Sequence, residues 1–243
     1  GAPVIVPIEQ ARMLGILDDA ARWALPPTRN KHSRPNLPPE WVGKQIRGRL
    51  EWPFPYLDAV IEAPTLRRDG SVLAEAGWDE ATGLLFEPMP GDMWPAVPEV
   101  PTASDVRQAV DALLDPVQNF PFVAESDKAT YVSAVLSILG RHLIDGPVPG
   151  FPIRSPTPGT GKTLMADVIG IIGTGRVPAA MSMTYQSEEF RKRILALAID
   201  GTPLVLLENL SGSLGSDVLA ATLTATEWKD RILGRTEMVS APL

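Results

Sequence analysis

The sequence predicts an α/β core built on a parallel sheet, preceded by helices and a small α+β N-terminal region, and three observations carry that expectation. A glycine-containing loop, Ser155 to Thr163, stands between a short apolar run (Phe151, Pro152, Ile153) and an apolar segment opening on Leu164. A second apolar run, Leu204 to Leu207, ends in Glu208. Segments of helical period precede, separate and follow these two. Four apolar residues closing on an acid read as a strand buried on both faces, with the acid at the C-terminal edge where parallel sheets place their ligand chemistry.

Composition sets the bounds. The 243 residues can form one large or two small domains, and 44% hydrophobic with 21% charged residues is the balance of a soluble globular protein. The 25 prolines imply many chain reversals and rigid connectors, because the apolar fraction stays normal. Cysteine is absent, which excludes a disulfide framework and thiolate metal sites and fits a cytoplasmic location. No apolar stretch approaches the roughly 20 residues of a membrane helix, and no basic segment followed by an apolar one opens the chain. Gly1-Ala2-Pro3 reads as a cloning remnant, and the strand-like run Met238 to Leu243 at the end reads as the edge of an excised fragment.

The net charge of −7 opposes nonspecific nucleic-acid binding by the whole chain. Its distribution is uneven, since Arg22 to Arg49 holds seven arginines and lysines against Glu40 alone. Two readings stand side by side for this segment: a basic patch that meets DNA, and a solvated face with a loop.

Residues 8 to 24 read as an amphipathic helix, with Leu14, Leu17, Ala21 and Ala24 on one face and Arg12, Asp18, Asp19 and Arg22 on the other. Pro26 and Pro27 stop it. Thr28 to Pro39 reads as a loop in which His32 is solvated, and Glu40 to Arg49 as a short helix. Lys44, Arg47 and Trp41 of that helix can face nucleic acid, although a Trp at a helix start more commonly enters the core. Strands follow at Val60-Ile61-Glu62, Val72-Leu73 and Leu84-Leu85-Phe86, with Asp69-Gly70 as a hairpin signal and Asp69, Asp79 and Glu80 in turns.

The proline-rich stretch 88–101 reads as an extended connector, dividing an accessory region 1–99 from a domain 100–243. Thr102 with Asp105 resembles a capping pair that starts a helix carrying Val106, Val110, Leu113 and Leu114 on one face. A longer helix, Ser126 to Ile144, has the stripe Val132, Val135, Leu136, Leu139 and Leu143, with His142 at its boundary. Residues 102–146 are thus a helical lead-in to a core spanning 150–243.

The loop Pro158-Gly159-Thr160-Gly161-Lys162-Thr163 has the chemistry of a phosphate cradle. Phosphate oxygens call for backbone N–H donors turned inward, a close backbone approach, a cation and a helix N-terminus. Gly159 and Gly161 supply backbone freedom, Lys162 the charge for the β and γ phosphates, and Thr163 a hydroxyl for Mg²⁺. The first glycine of G-x-x-x-x-G-K-[ST] falls on Pro156. The following segment, Gly161 to Ile172, is apolar nearly all round and is expected to be a buried helix ended by Gly173-Thr174-Gly175. A strand at Val177 to Ser182 is expected next, and then a helix capped by Ser187 with Glu188 and Glu189 in its first turn. Phe190, Ile194 and Leu197 of that helix face inward, while Arg191, Lys192 and Arg193 form a solvated face. Glu208 and Asn209 stand where nucleotide hydrolysis needs a carboxylate beside Mg²⁺ and a residue to orient water, but an asparagine cannot accept a proton as a general base.

The pairing of Pro158-Gly159-Thr160-Gly161-Lys162-Thr163 with Leu204-Val205-Leu206-Leu207-Glu208-Asn209 resembles the P-loop NTPase core of AAA+-like ATPases. The short spacing and the Glu-Asn ending look most like superfamily 3 helicases and the helicase parts of phage and plasmid primase-helicases. Trp228 to Arg235 is similar to a segment of mobile-element ATPase domains, and Glu51-Trp52-Pro53 through Gly77-Trp78-Asp79 is similar to the region preceding them. The resemblance implies a truncated AAA+-like core that binds ATP and Mg²⁺, with Lys162, Glu208 and Asn209 as catalytic residues and Thr163 and Glu208 at the metal. It also implies DNA as partner and a homo-oligomeric ring in the full-length protein. In such proteins a sensor strand follows and a neighbouring subunit contributes an arginine. Arg231 and Arg235 are candidates for that arginine or for a DNA contact, and ordinary surface ion pairing explains them equally well. The alternative function is a nucleotide-dependent assembly module with little or no hydrolysis, which Asn209 favours.

Overall fold

A computed structural model describes the chain except residues 1–5, 7, 30, 31, 33, 50, 51, 90, 92, 96, 99, 185, 211–215, 232–237 and 243. The chain divides into two compact units, residues 2–56 and 57–243.

In the first unit, helix α1 (Gln10–Ala20) packs on α2 (Glu40–Arg47), and a two-residue ladder joins β1 (Ala24–Leu25) to β2 (Arg34–Pro35). Gly43 is the point of closest approach. A Cβ there would lie 2.7 Å from Gln10 Nε2 and 3.3 Å from Leu14 Cδ2. Gln10 Nε2 also donates to the Glu40 carbonyl at 2.8 Å, and the Trp23 indole N–H donates to the Leu17 carbonyl at 2.7 Å. The first helix is shorter than its periodicity predicts: Ala21 already has extended backbone, and Ala21 and Ala24 are exposed. Pairing with Arg34 and Pro35 draws Ala24 and Leu25 into the ladder instead. Trp41, expected in the core, is 60% exposed because the small Gly43 makes the helix contact.

The second unit begins with strands. β3 (Ala59–Ile61) runs parallel to β7 (Leu84–Phe86), and β6 (Gly77–Asp79) pairs antiparallel with β7. β4 (Thr65–Leu66) and β5 (Val72–Leu73) form a hairpin across Asp69-Gly70, with Gly70 at φ 84°; the expected strand before that turn, Val60-Ile61-Glu62, falls on β3 and pairs with β7 instead. Leu73, Leu84 and Phe86 close a small core beneath these strands. The strands are anchored to later elements of the same unit. Thr65 Oγ1 donates to the Leu139 carbonyl at 2.9 Å, and Arg176 Nε lies 2.7 Å from Glu62 Oε2. The connector 88–101 lies inside the unit 57–243.

Helix α3 (Ala103–Leu114) starts in a full capping box: Thr102 Oγ1 accepts from Asp105 N, and Asp105 Oδ2 accepts from Thr102 N at 2.8 Å. Its predicted stripe is only half used, with Leu113 and Leu114 packed and Val106 and Val110 exposed. Asp127 caps α4 (Glu125–Leu139) by accepting from Val123 N and Ala124 N. Gly140 ends that helix, so 141–143 form a separate 3-10 turn where a continuous helix was expected. Helix α5 (Lys162–Thr174) lies on α4, and Val117, Tyr131, Ala134, Val135 and Ile169 make the core between them.

Beyond α5 come β8 (Ala179–Ser182), α6 (Ser187–Ile199), β9 (Val205–Glu208), α7 (Asp217–Thr222) and the hairpin of β10 (Glu227–Arg231) with β11 (Met238–Pro242). β8 and β9 pair in parallel, Ala179 opposite Val205 and Ser182 opposite Glu208. Their core is Phe190, Ile194, Leu195, Val218, Leu219 and Trp228, with Met181, Met183 and Leu207 against it.

Four expectations differ here. Among the described residues the parallel sheet has two strands, because Phe151 and Ile153 pack into the α4–α5 core without joining a ladder. β9 is half-buried throughout rather than covered on both faces, and α5 leaves Leu164 and Ile171 more than half exposed. Gln186, not Ser187, occupies the cap position of α6, and it makes no side-chain cap bond. Among the described residues no helix is long and apolar enough to cross a membrane.

Candidate phosphate-binding site

The loop 155–161 turns on two glycines with left-handed backbone, Gly159 (φ 77°) and Gly161 (φ 84°). That conformation is cheap only without a Cβ. At Gly161 there is a second constraint, since a Cβ would lie 3.0 Å from Phe120 Cε1. The Phe120 ring thus backs the point where the loop enters α5.

Ser155 is the hub of the loop. Its hydroxyl donates to the Thr157 carbonyl at 2.6 Å and accepts from Thr160 Oγ1 at 2.7 Å and from Lys162 Nζ at 2.8 Å. The Lys162 ammonium is therefore folded back over its own loop, with the Thr157 carbonyl a further 3.5 Å away. Thr163 follows on the first turn of α5 with an exposed side chain. Met165 N donates to the Gly161 carbonyl and the turn at Pro158-Gly159 brings Thr160 N–H to the Thr157 carbonyl, whereas among the described residues no acceptor pairs with the backbone N–H groups of Gly161 through Leu164. A run of unpaired amides beside a helix N-terminus, with an ammonium folded back to Ser155, fits a phosphate group chemically.

The metal position is less assembled. Glu208 ends β9 opposite Ser182, and among the described residues its carboxylate has no hydrogen-bond or ion-pair partner. Asn209 has φ 57°, left-handed backbone for a residue with a side chain, and is exposed. Leu207 packs with the α6 core while Met165 and Val168 pack with the α4 core, and among the described residues no hydrogen bond links Glu208 or Asn209 to Lys162 or Thr163. Pro158, Gly159, Thr160, Gly161 and Lys162 are thus brought together in one loop, and Glu208 and Asn209 stand on the β8–β9 ribbon.

Arg231 lies exposed on β10, and Arg235 lies outside the described residues. Arg193 pairs with Glu189 at 2.9 Å and Lys192 with Glu188 at 2.6 Å, so this predicted solvated face is partly ion-paired. Burial and then the Arg141 charge hold His142 below the ordinary imidazole range, against the pull of Asp58. Among the described residues no group of three His, Asp or Glu side chains is disposed for a metal ion. Two contributors escaped the sequence reading of the loop. Ser155 was visible at its entry but had no assigned role, and Phe120 lies too far away in the chain for any local pattern to reveal it.

The chain matches no protein-family model, no curated protein and no solved structure.

Proposed function

We propose that residues 155–163 bind the phosphates of Mg-ATP, and that the chain is the ATP-binding core of a ring-forming, DNA-directed ATPase: a cytoplasmic helicase of a phage or mobile element. The observation that carries the first part is the row of amides from Gly161 to Leu164, unpaired among the described residues, with the Lys162 ammonium folded back to Ser155. Lys162 exchanges the Ser155 hydroxyl for the β and γ phosphates, and the helix N-terminus favours the anion behind it. Thr163 and Glu208 are the residues for Mg²⁺, which lends its charge to the phosphates when bound. The second part rests on the motif resemblance.

A second reading, a nucleotide-dependent assembly module with little turnover, is favoured by Asn209, whose amide accepts no proton in a general-base step.

A fluorescent ATP analogue titrated with Mg²⁺ tests the loop. Lys162→Ala removes a charge-assisted contact, so affinity should fall about ten-fold or more. Equal affinity in the variant sinks the assignment. Turnover of the full-length protein with and without single-stranded DNA separates the two readings: stimulation supports the motor, and tight binding without turnover supports the module.

A further inference from the structure

Buried aromatic rings are the largest apolar resource a small unit has. The 2–56 unit spends them on its surface. Trp23 is its inward-turned ring, held by the hydrogen bond to Leu17. Trp41 is 60% exposed, Trp52 40%, Phe54 67% and Tyr56 72%. Gly43 faces α1, so the 100° step of a helix puts Trp41 and Gln45 on the side of α2 away from α1 and Lys44 at its flank. Among the described residues Lys44 is tethered by a solvent-exposed pair with Glu40 at 3.5 Å, and Arg49 is exposed. The Trp52 and Phe54 rings lie 5.9 Å apart, tilted by 31°.

Charge selects the class of ligand for these rings. Residues 2–56 hold eight arginines and lysines against five carboxylates, whereas residues 57–243 hold fourteen against twenty-four. Exposed π faces interleaved with cations suit a polyanion that offers flat rings of its own. A duplex keeps its base faces stacked inside, and a single strand presents them.

We propose that Trp41, Lys44, Arg49, Trp52, Phe54 and Tyr56 form a single-stranded DNA-binding surface, with bases stacking on the four rings and phosphates meeting Lys44 and Arg49. This rests on the DNA-directed reading above and names its contact residues, and it does not require the phosphate loop.

The test uses the whole chain without nucleotide and a fluorescein-labelled 20-mer of thymidylate, followed by anisotropy. The 20-mer should bind more tightly than a 20-base-pair duplex or poly-glutamate of equal charge, and more weakly as salt rises. Trp41→Ala and Phe54→Ala, both at exposed positions, should each weaken it about five- to 150-fold. Lys44→Glu should weaken it most at low salt. Binding of poly-glutamate or duplex as tight as that of the 20-mer overturns the proposal, as does unchanged affinity in both ring variants. Because nucleotide is absent, failure here leaves the phosphate loop standing, and failed ATP binding leaves this surface standing.

Discussion

The Arg176–Glu62 pair offers the sharpest test of how the early strands are fastened to the helical body. Glu62 follows β3, and its side chain is 4% exposed; Arg176 follows α5 and is 32% exposed, with Nε 2.7 Å from Oε2. The carboxylate is thus desolvated, and its partner is only partly so. Removing the arginine leaves an uncompensated buried charge, which costs about 3–5 kcal/mol in such pairs. The partial exposure of Arg176 places Arg176→Leu near the lower end, about 3 kcal/mol. For a chain of this size that lowers the melting temperature by about 6–12 °C. Glu62→Gln leaves a guanidinium that can turn to water and should cost about 1 kcal/mol. The double variant should lose much less than the two single losses added, because the stranded carboxylate is gone. Urea unfolding followed by circular dichroism reads all three. A loss under about 0.5 kcal/mol in Arg176→Leu, or simple additivity in the double variant, refutes the account.

Two further outcomes follow from local geometry. In Gly173→Ala the new Cβ would lie 2.7 Å from Ile138 Cγ2 and 3.0 Å from Ile138 Cβ, so α4 and α5 must part; the strain of about 1–3 kcal/mol should outweigh the roughly 1 kcal/mol of helix propensity gained. Gly15→Ala in α1 meets nothing within 4 Å and should stabilise instead, so equal effects in the two variants would contradict the packing. Asp79 accepts from Thr82 Oγ1 at 2.8 Å and from Arg67 Nε at 2.9 Å. Burial pushes its carboxyl up, but the bonds from Thr82 and Arg67 and the Arg67 charge together hold it below the ordinary value. A lowered carboxyl adds stability above the unfolded value of about 3.9, and that stability is lost as pH falls through the folded value. Asp79→Asn should therefore be less stable than the parent at neutral pH, with the gap closing below about pH 4 in urea midpoints.

Short-range chemistry was legible in the sequence. Thr102 and Asp105 sit three residues apart and cap α3 as their spacing predicts, and Asp69-Gly70 turns the β4–β5 hairpin. The runs that become β8 and β9 were visible because a strand's period and its bounding turns are local. Packing between distant segments was not legible. Nothing around Glu62 indicates that its partner is Arg176, and nothing in residues 151–153 shows that Phe151 and Ile153 pack under α5 instead of joining a ladder. Trp41 misled because residue type favours the core, whereas the neighbouring glycine determines which face of α2 meets α1. At the candidate site the loop is a continuous segment and could be read residue by residue. Its relation to Glu208 depends on tertiary packing, which no spacing specifies.

The left-handed backbone at Asn209 has an evolutionary consequence. Asn and Asp are the residues with a side chain that enter this region at least cost, so the position can pass between amide and carboxylate without moving the main chain. A β-branched residue there would be strained. A carboxylate at position 209 is thus a single conservative replacement away, with the backbone already in the conformation that would carry it.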